Sequence, residues 1–410
     1  MTHEAAGERR LRVGLLSRAY PPHASASGIA TYTCELAHGL HALGHEVHVF
    51  TASRQGLRCQ GERLFVHGIM PDVLPITPGL PLADRRLRWG VAVAERVTEL
   101  ARRGTVLDLV ESPNWECEGV ALRRTRAVPI VVRLHAPLTA VAVADGLDPT
   151  SADLRTCVQL ERWLIATADG ITSSTAGVLA TVRETMNLDS HACYARIPLG
   201  IAPAAIPVQQ PTGPRRLLFV GRVERRKGIH TLLGVVPRLL RRHRDLQVDI
   251  VGNATEPPGE PTFRDRFARE YRLALWRRRC RFHGFVGDDE LARFYRQCTL
   301  FVAPSLYESF GLTYLEAMRY GKPVIGSCVG GIPEVVRDGE TGILVPPDDP
   351  ESLHAAIERL LEGPALCRRL GDAARRAVET EFSPRAMAEH TAEFYLQVLA
   401  RAEGKSRDLG

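Results

Sequence analysis

Two cations and two carboxylates stand out from a chain of otherwise ordinary composition. Of 53 basic residues, 50 are arginine and three are lysine: Lys227, Lys322 and Lys405. Lys227 closes the stretch GRVERRKG, 221–228, behind five arginines in the preceding twelve residues. Arg222 and Lys227, beside Gly221 and Gly228, set a planar guanidinium fork and a compact ammonium where backbone can approach a ligand closely. Near a helix start such a pair makes an anion site. The same residues serve equally as a solvated basic turn, and Arg225 and Arg226, next to Glu224, read as no more than that. The second group lies in APSLYESFGLTYLEAMRYGKPVIGS, 303–327. Glu308 falls in a strand-to-helix loop. Glu316, eight residues on, falls in the second turn of a helix starting near Phe310 or Gly311. The amides of Phe310, Gly311 and Leu312 are then unpaired first-turn donors suited to a phosphate, with Glu308 and Glu316 free to accept from sugar hydroxyls. The bland alternatives are a helix-dipole partner for Glu308 and a solvated helix carboxylate for Glu316, the latter weakened by its neighbours Leu315 and Ala317.

The elements that must hold these groups repeat in two halves. LRVGLLS, 11–17, reads as a buried strand; SGIATYTCELAHGLHALG, 27–44, as a helix with Ile29, Tyr32, Leu36, Leu40 and Leu43 on one face; and HEVHVFTA, 45–52, as a second strand. Strand, helix, strand at this spacing is a βαβ unit and predicts a parallel sheet. VLDLVES (106–112) and IVVRLHA (130–136) continue it, with helices over 84–103 and 154–168. IPLGIAPAAIPVQQPTGP, 197–214, then carries five Pro and two Gly in eighteen residues, which is linker chemistry. Strands RRLLFVG (215–221), QVDIVGN (247–253), TLFVAP (299–304) and KPVIGS (322–327) alternate with helical stretches after it, beginning with KGIHTLLGVVPRLLRRH. The tail from about 351 is mostly helical. The pattern predicts an α/β chain of two doubly wound, Rossmann-like domains, 1–200 and 215–383, joined by a linker at 201–214. A C-terminal helix and tail, 384–410, is expected to pack back on the first domain. Two such sheets facing each other leave a cleft outside the carboxyl ends of their strands, where the loops gather.

Composition narrows the function classes. A net charge of +6 on 410 residues is too mild for a nucleic-acid partner. Nine scattered cysteines with no C-x-x-C pair argue against a disulfide framework or zinc site and for a reducing cytoplasm. The first twenty residues lack a signal-peptide apolar run, and no run of about 18 apolar residues spans a membrane.

GRVERRKG, HGFVGDDELARFYRQCTLFVAPS and ESFGLTYLEAMRYGKPVIGSCVGGIPEVV with DGETGILVPPDD resemble, in order and spacing, the family-4 retaining glycosyltransferases of the GT-B fold. The opening PPHASASGIATYTCELAHGLHALGHEVHVFT resembles that family's N-terminal signature more loosely, with Ser27–Gly28 where paired glycines are usual. The resemblance implies that Arg222 and Lys227 bind the nucleotide diphosphate, which accounts for the retained lysine. It also implies that Glu308 lies near the donor sugar, Glu316 near the ribose hydroxyls, and that Phe310, Gly311 and Leu312 form the amide-donating helix start. Val286 matches a position whose backbone meets the nucleobase, Gly28 the glycine loop under the phosphates, and His135, in VVRLHAP, a strand-end histidine beside the reacting sugar. A lone histidine ending an apolar strand is also commonly structural.

The charge that develops when a sugar leaves a diphosphate sits on the diphosphate, so fixed cations and amides there are the main device. No D-x-D triplet occurs, and the pairs at 288–289 and 348–349 read as solvated turns. The expectation is therefore a metal-independent, cofactor-free, retaining hexosyltransferase. It would use a nucleoside-diphosphate sugar, UDP-linked by family frequency, and a saccharide, lipid-linked or small-metabolite acceptor. For that acceptor, Glu111, Asn114, Trp115 and Glu118 in ESPNWECEG follow a strand end; an ordinary surface loop is the competing reading. ADRRLRWGVAVAERV, 83–97, reads as a packed helix with a basic end or as a peripheral contact with an anionic inner membrane face; RLALWRRRCRFHG, 272–284, is a similar basic edge. The alternatives are a same-fold sugar-nucleotide epimerase or sugar phosphorylase, or a non-catalytic partner subunit.

Overall fold

A computed structural model describes residues 9–21, 28–71, 77–144, 148, 150–186, 193–204, 213–253, 261–270 and 278–407. The chain packs as two compact units, Met1–Gly200 with Pro384–Gly410, and Ile201–Ser383. Of the stretches read as linker and basic edge, 205–212 and 272–277 lie outside the described residues.

The first unit is built on strands β1 (Arg12–Leu16), β2 (Glu46–Ala52), β3 (Leu57–Cys59), β4 (Leu64–Ile69), β5 (Leu109–Pro113), β6 (Ile130–Leu134), β7 (Gly170–Ser173) and β8 (Cys193–Arg196). They form one sheet in the order β3-β4-β2-β1-β5-β6-β7-β8. Every pairing in it is parallel except β3 with β4. Its helices are α1 (Gly28–Ala42), α2 (Pro81–Arg102), α3 (Val120–Thr125), α4 (Leu138–Ala144), α5 (Ala152–Thr167) and α6 (Ala176–Met186). The central strands are buried along most of their length because helices cover both faces, although β5 carries Glu111 and Ser112 and β6 carries Arg133. Phe50, Trp89, Val110, Val132, Leu164 and Ile165 meet in the core between sheet and helices.

The second unit continues with β9 (Arg216–Val220), α7 (Ile229–Arg242), β10 (Gln247–Val251), α8 (Phe263–Glu270), β11 (Cys280–Gly284), α9 (Asp288–Gln297), β12 (Leu300–Ala303), α10 (Leu312–Met318), β13 (Val324–Ser327), α11 (Ile332–Val335), β14 (Gly342–Val345), α12 (Pro350–Glu362) and α13 (Pro364–Thr380). Its sheet runs β11-β10-β9-β12-β13-β14, all parallel. Leu217, Ile250 and Leu300 from the sheet pack on Leu232, Val236 and Leu239 of α7 and Ile357 of α12. The aspartate of the 348–349 pair that precedes α12 is its cap: Asp349 Oδ1 accepts from the amides of Glu351 and Ser352 at 3.1 and 3.0 Å, with Pro350 at the first helical position.

The final helix, α14 (Pro384–Arg407), belongs to the first unit. It lies against α1 where Gly39 faces Ala388 and Pro384, and against β7 where Gly170 faces Phe394 and Val398. The apolar stripe of α2 is spent inside the core: Ala83, Trp89, Gly90, Val93, Ala94 and Val97 are buried. Of the two readings of 83–97, the packed helix is the one observed.

In the second unit one glycine fixes where the GRVERRKG loop ends. Gly228 has φ +69, and a Cβ there would sit 1.8 Å from the carbonyl oxygen of Pro304. Gly234, in exposed mid-helix α7, has nothing within 4 Å. Gly228→Ala should therefore destabilise the second unit by about 1–3 kcal/mol through backbone strain, while Gly234→Ala should stabilise it by roughly 0.5–1 kcal/mol. Urea midpoints of the two variants moving in opposite directions would bear this out.

Candidate active site

The strand order of the second unit reverses between β9 and β12, so the loops that follow these strands lead away in opposite directions and open a crevice between them. One of these loops is 221–228 and the other 304–311. Lys227 Nζ donates to Glu308 Oε2 across them, with both side chains mostly buried. The amide of Leu306 donates to the Arg226 carbonyl at 2.8 Å, tying the loops together through backbone as well. A third loop, after β13, closes on the same point. The amide of Gly331 donates to the Glu308 carbonyl at 2.9 Å. Gly330, at φ +54, comes so near that a Cβ would lie 2.1 Å from that carbonyl oxygen. The two residue types singled out at 227 and 308 are thus brought into one ion pair. Arg222, in the same loop as Lys227, is half-exposed and lies 3.3 Å from Glu224 Oε2.

The reading of Arg226 as a solvated residue does not hold. Arg226 is buried and donates to the buried Glu224 at 2.6 Å. Arg225 is exposed as expected, 3.8 Å from Asp348. That aspartate accepts from Thr231 at 3.1 Å and pairs with His230 at 2.9 Å, so it is more than a solvated turn residue.

Helix α10 begins at Leu312 with Gly311 as its N-cap in left-handed backbone. Phe310 is buried edge-on to Phe382. Glu316 is partly buried and accepts from the Tyr295 hydroxyl at 2.6 Å. Burial raises its carboxyl above the ordinary value, against the pull of Tyr295 and Arg319. It is therefore not a solvated helix carboxylate. Val286 lies in the loop between β11 and α9, partly buried. The amide of its neighbour Phe285 donates to Asn253 Oδ1 at 3.0 Å, which pins the loops after β10 and β11 to each other.

In the first unit the strand order reverses between β1 and β5. Gly28 is the first residue of α1 and exposed; residues 22–27 before it lie outside the described residues. The segment ESPNWECEG is no ordinary surface loop. Glu111, Asn114 and Glu118 are all buried. Glu111, raised by burial, accepts from the Tyr32 hydroxyl at 2.7 Å and the Tyr395 hydroxyl at 2.8 Å. Asn114 bridges Glu161 and the amide of His135. Trp115 packs with Ala83 and Leu138, its ring 5.9 Å from the Arg86 guanidinium. Glu118 accepts from the amide of Arg18 at 3.2 Å through one oxygen while the other is buried with no partner among the described residues. Burial, joined by Glu116, pushes its carboxyl up to about 8.

His135 follows β6 directly. Its ring stands edge-on to Tyr32 with centroids 5.6 Å apart, and Nε2 is buried with no partner among the described residues. Burial, and the nearby Arg133, push the imidazole down to about 3. A neutral imidazole with an uncommitted nitrogen can orient a hydroxyl by hydrogen bonding; it is a poor general base at that value. Among the described residues, no three His, Cys, Asp or Glu side chains are grouped to hold a metal ion.

A family model described as Glycosyltransferase Family 4 matches residues 26–205, and one described as Glycosyl transferases group 1 matches 205–377. Over 403 residues the chain is 30% identical to a glycogen synthase of Mycobacterium tuberculosis, covering 94% of each chain. The chain belongs to glycosyltransferase family 4. This glycosyltransferase is also 30% identical to a D-inositol 3-phosphate glycosyltransferase of Streptomyces bingchenggensis, covering 96% of this chain and 90% of that one. Among solved structures, a sucrose-phosphate synthase from Thermosynechococcus elongatus superimposes with a TM-score of 0.75 at 26% identity, covering 96% of this chain and all of that one. The glycosyltransferase has the GT-B fold of these relatives, as the sequence motifs implied.

Several residues of the enzyme's loop clusters escaped the sequence reading: Glu161, Tyr32 and Tyr395 as carboxylate or hydroxyl partners, and Gly330. Glu161 carried a signal. It falls on the apolar stripe of α5 with Leu154, Cys157, Leu164 and Ile165, where a carboxylate is out of place unless it is paired.

The depressed His135 imidazole gives a pH test. A histidine whose folded value lies below its unfolded 6.5 binds more protons unfolded, so its contribution to stability is complete above about 6.5 and is lost as the pH falls toward 3. The ring nitrogens of His135, followed by nitrogen-15 NMR, should keep the shifts of a neutral imidazole from pH 8 to pH 5. A titration midpoint near the ordinary histidine value would show the ring to be solvated.

Proposed function

We propose that this glycosyltransferase moves a hexosyl group, with retention of anomeric configuration, from a nucleoside-diphosphate sugar, UDP-linked, to a saccharide, lipid-linked or small-metabolite acceptor. The observation that carries this reading is the Lys227–Glu308 pair at the strand-order reversal of the second unit. It puts a cation and a hydroxyl-accepting carboxylate side by side, which is what a sugar diphosphate requires.

In this reading Lys227 and the half-exposed Arg222 meet the diphosphate as negative charge develops on its leaving oxygen, supported by the amides at 310–312. Fixed donors of this kind cost no reorganisation during the reaction and form the largest catalytic contribution in such sites. Glu308 accepts from the donor sugar and Glu316, already held by Tyr295, from the ribose. The backbone at Val286 meets the base, and Gly28 lies under the phosphates. His135 orients the donor sugar as a neutral hydrogen-bonding group. No carboxylate is needed as nucleophile if the departing phosphate oxygen takes the acceptor proton on the same face. Two cations supply the charge a metal would otherwise bring, which supports metal-independent turnover. Trp115 and Glu118 remain the acceptor-facing candidates, since one buried oxygen of Glu118 has no partner among the described residues. Glu111 and Asn114 are committed to partners within the first unit.

A reducing cytoplasmic setting is supported by nine free cysteines. Among the described residues no helix is long and apolar enough to cross a membrane. A sugar phosphorylase of this fold would hold a cofactor through a lysine, and the setting of Lys322, one of the two lysines left beside Lys227, weighs against that reading. Lys322 is buried and donates to the Arg296 carbonyl at 2.7 Å.

UDP, GDP and ADP should be compared by thermal shift: the matching nucleotide at about 100 times its Kd should stabilise the protein by about 2.7 kcal/mol. Lys227→Ala should abolish that shift, and its persistence would refute the diphosphate site. Glu308→Gln should lower turnover by roughly 10²–10³ while nucleotide affinity stays within a few-fold; equal losses would remove Glu308 from the sugar pocket. Turnover should survive EDTA, and loss restored by Mg²⁺ or Mn²⁺ would count against metal independence.

A further inference from the structure

The turn that leaves β6, His135–Leu138, is held by a buried carboxylate reached through an amide. Asn114 Oδ1 accepts from the His135 amide at 2.7 Å, and Asn114 Nδ2 donates to Glu161 Oε1 at 2.6 Å. The Leu138 amide donates to the same carboxylate, at 3.2 Å from Oε1 and 3.1 Å from Oε2. Asn114 and Glu161 are both fully buried, on β5's following loop and on α5. Two ends of one turn, the His135 and Leu138 amides, are therefore fixed by two side chains from other elements.

The chemistry of the three groups fixes their polarity. An ionised carboxylate only accepts, so the side of Asn114 that faces Glu161 must be its NH₂. The other side is then the carbonyl oxygen, the group that the His135 amide needs. The His135 amide already calls for the oxygen on its side; the carboxylate fixes the same arrangement from the other side, so the two constraints agree. We infer that Glu161, acting through Asn114, is a positioning residue that sets the backbone at His135 and so aims the His135 ring at the reacting sugar.

Burial of a carboxylate without a paired cation costs several kcal/mol, offset here only in part by its donors. Burial pushes the Glu161 carboxyl up to about 7, against the pull of Asn114, the Leu138 amide, Arg86 and Arg162. A turn that needed only to connect β6 to α4 could be closed by neutral groups at lower cost. A turn that must present one ring within about half an ångström gains from a partner that admits a single arrangement.

The inference rests on the sugar-side role proposed for His135, and its test separates the two. Glu161→Gln keeps the shape but sets a donor against the Leu138 amide or Asn114. At pH 8, where the native carboxylate is ionised, hydrogen exchange at the His135 and Leu138 amides should speed at least roughly tenfold, with protection in β1 and β9 unchanged. In the same variant kcat should fall about 10–100-fold, the scale of a misplacement near 1 Å. The donor KM and the nucleotide thermal shift should stay within twofold. Asn114→Ala, which leaves the Glu161–Leu138 contact in place, should reproduce the kcat loss and decides the matter if Glu161→Gln does not fold. Unchanged exchange at His135 would overturn the inference whatever the enzyme's donor. Faster exchange with unchanged kcat, or a loss shared with nucleotide binding and global protection, would reduce Glu161 to a structural role. A native protein that neither binds nucleotide nor turns over would instead defeat the proposed function, with the exchange result still deciding the positioning.

Discussion

A carboxylate withdrawn from water destabilises a fold by several kcal/mol unless donors replace the lost solvation. Among the described residues the first unit buries four of them, Glu111, Glu118, Glu161 and Asp153, the last accepting from the amides of Leu82 and Ala83 at 2.8 and 2.9 Å. Each is met in a different way. Glu111 receives two tyrosine hydroxyls, from α1 and α14. Arg133 stands close by, 4.6 Å over the Tyr32 ring and donating to the Ile197 carbonyl at 2.7 Å. Glu161 receives one side-chain amide and one backbone amide. Glu118 receives, among the described residues, a single backbone amide. The order of commitment runs from a carboxylate with both oxygens satisfied to one with an oxygen to spare, and the spare oxygen belongs to the loop after β5.

The second unit pairs much of its buried charge, with Lys322 and Glu316 held by neutral groups instead. Glu224 has Arg226, Asp249 has Arg216 at 3.0 Å and His283 at 2.9 Å, and Glu308 has Lys227. Of these pairs, only Lys227–Glu308 spans the two loops that diverge from the strand-order reversal. The others brace strands and turns from beneath. A parallel sheet collects the ends of all its strands at one edge, so a pair placed there is reachable by a ligand while its supports stay covered. The same division explains why Arg222, Arg225 and Arg226, adjacent in sequence, have three unlike environments: half-exposed at the crevice, exposed at the surface and buried.

Much of this was legible in the residues. β1, β2, β6, β9, β10 and β12 are rich in apolar residues because both their faces are covered, and such segments declare themselves even where His48, Arg133 or Asp249 interrupts them. Lys227 and Glu308 were legible by type, a rare lysine and a carboxylate in a glycine-flanked loop. The short strands β3 and β8 were not, since LRC and CYAR are half-exposed and carry no apolar run. The burial of Arg226 and of ESPNWECEG was not legible either. Both depend on partners distant in sequence: Glu111, for example, meets Tyr395 across 284 residues. Periodicity reports which face of an element is covered, but not what covers it.

The chain leaves the first unit at Gly200 and re-enters it at Pro384, so the second unit is an insertion within the first. Gly39 and Gly170 leave room for α14 against α1 and β7, and the second tyrosine on Glu111 arrives with that helix. During synthesis the first two hundred residues therefore wait, with that groove uncovered and Glu111 one donor short, while the intervening unit, continuous in sequence, can collapse as a whole. The order in which the protein is made is thus the reverse of the order in which its domains are finished.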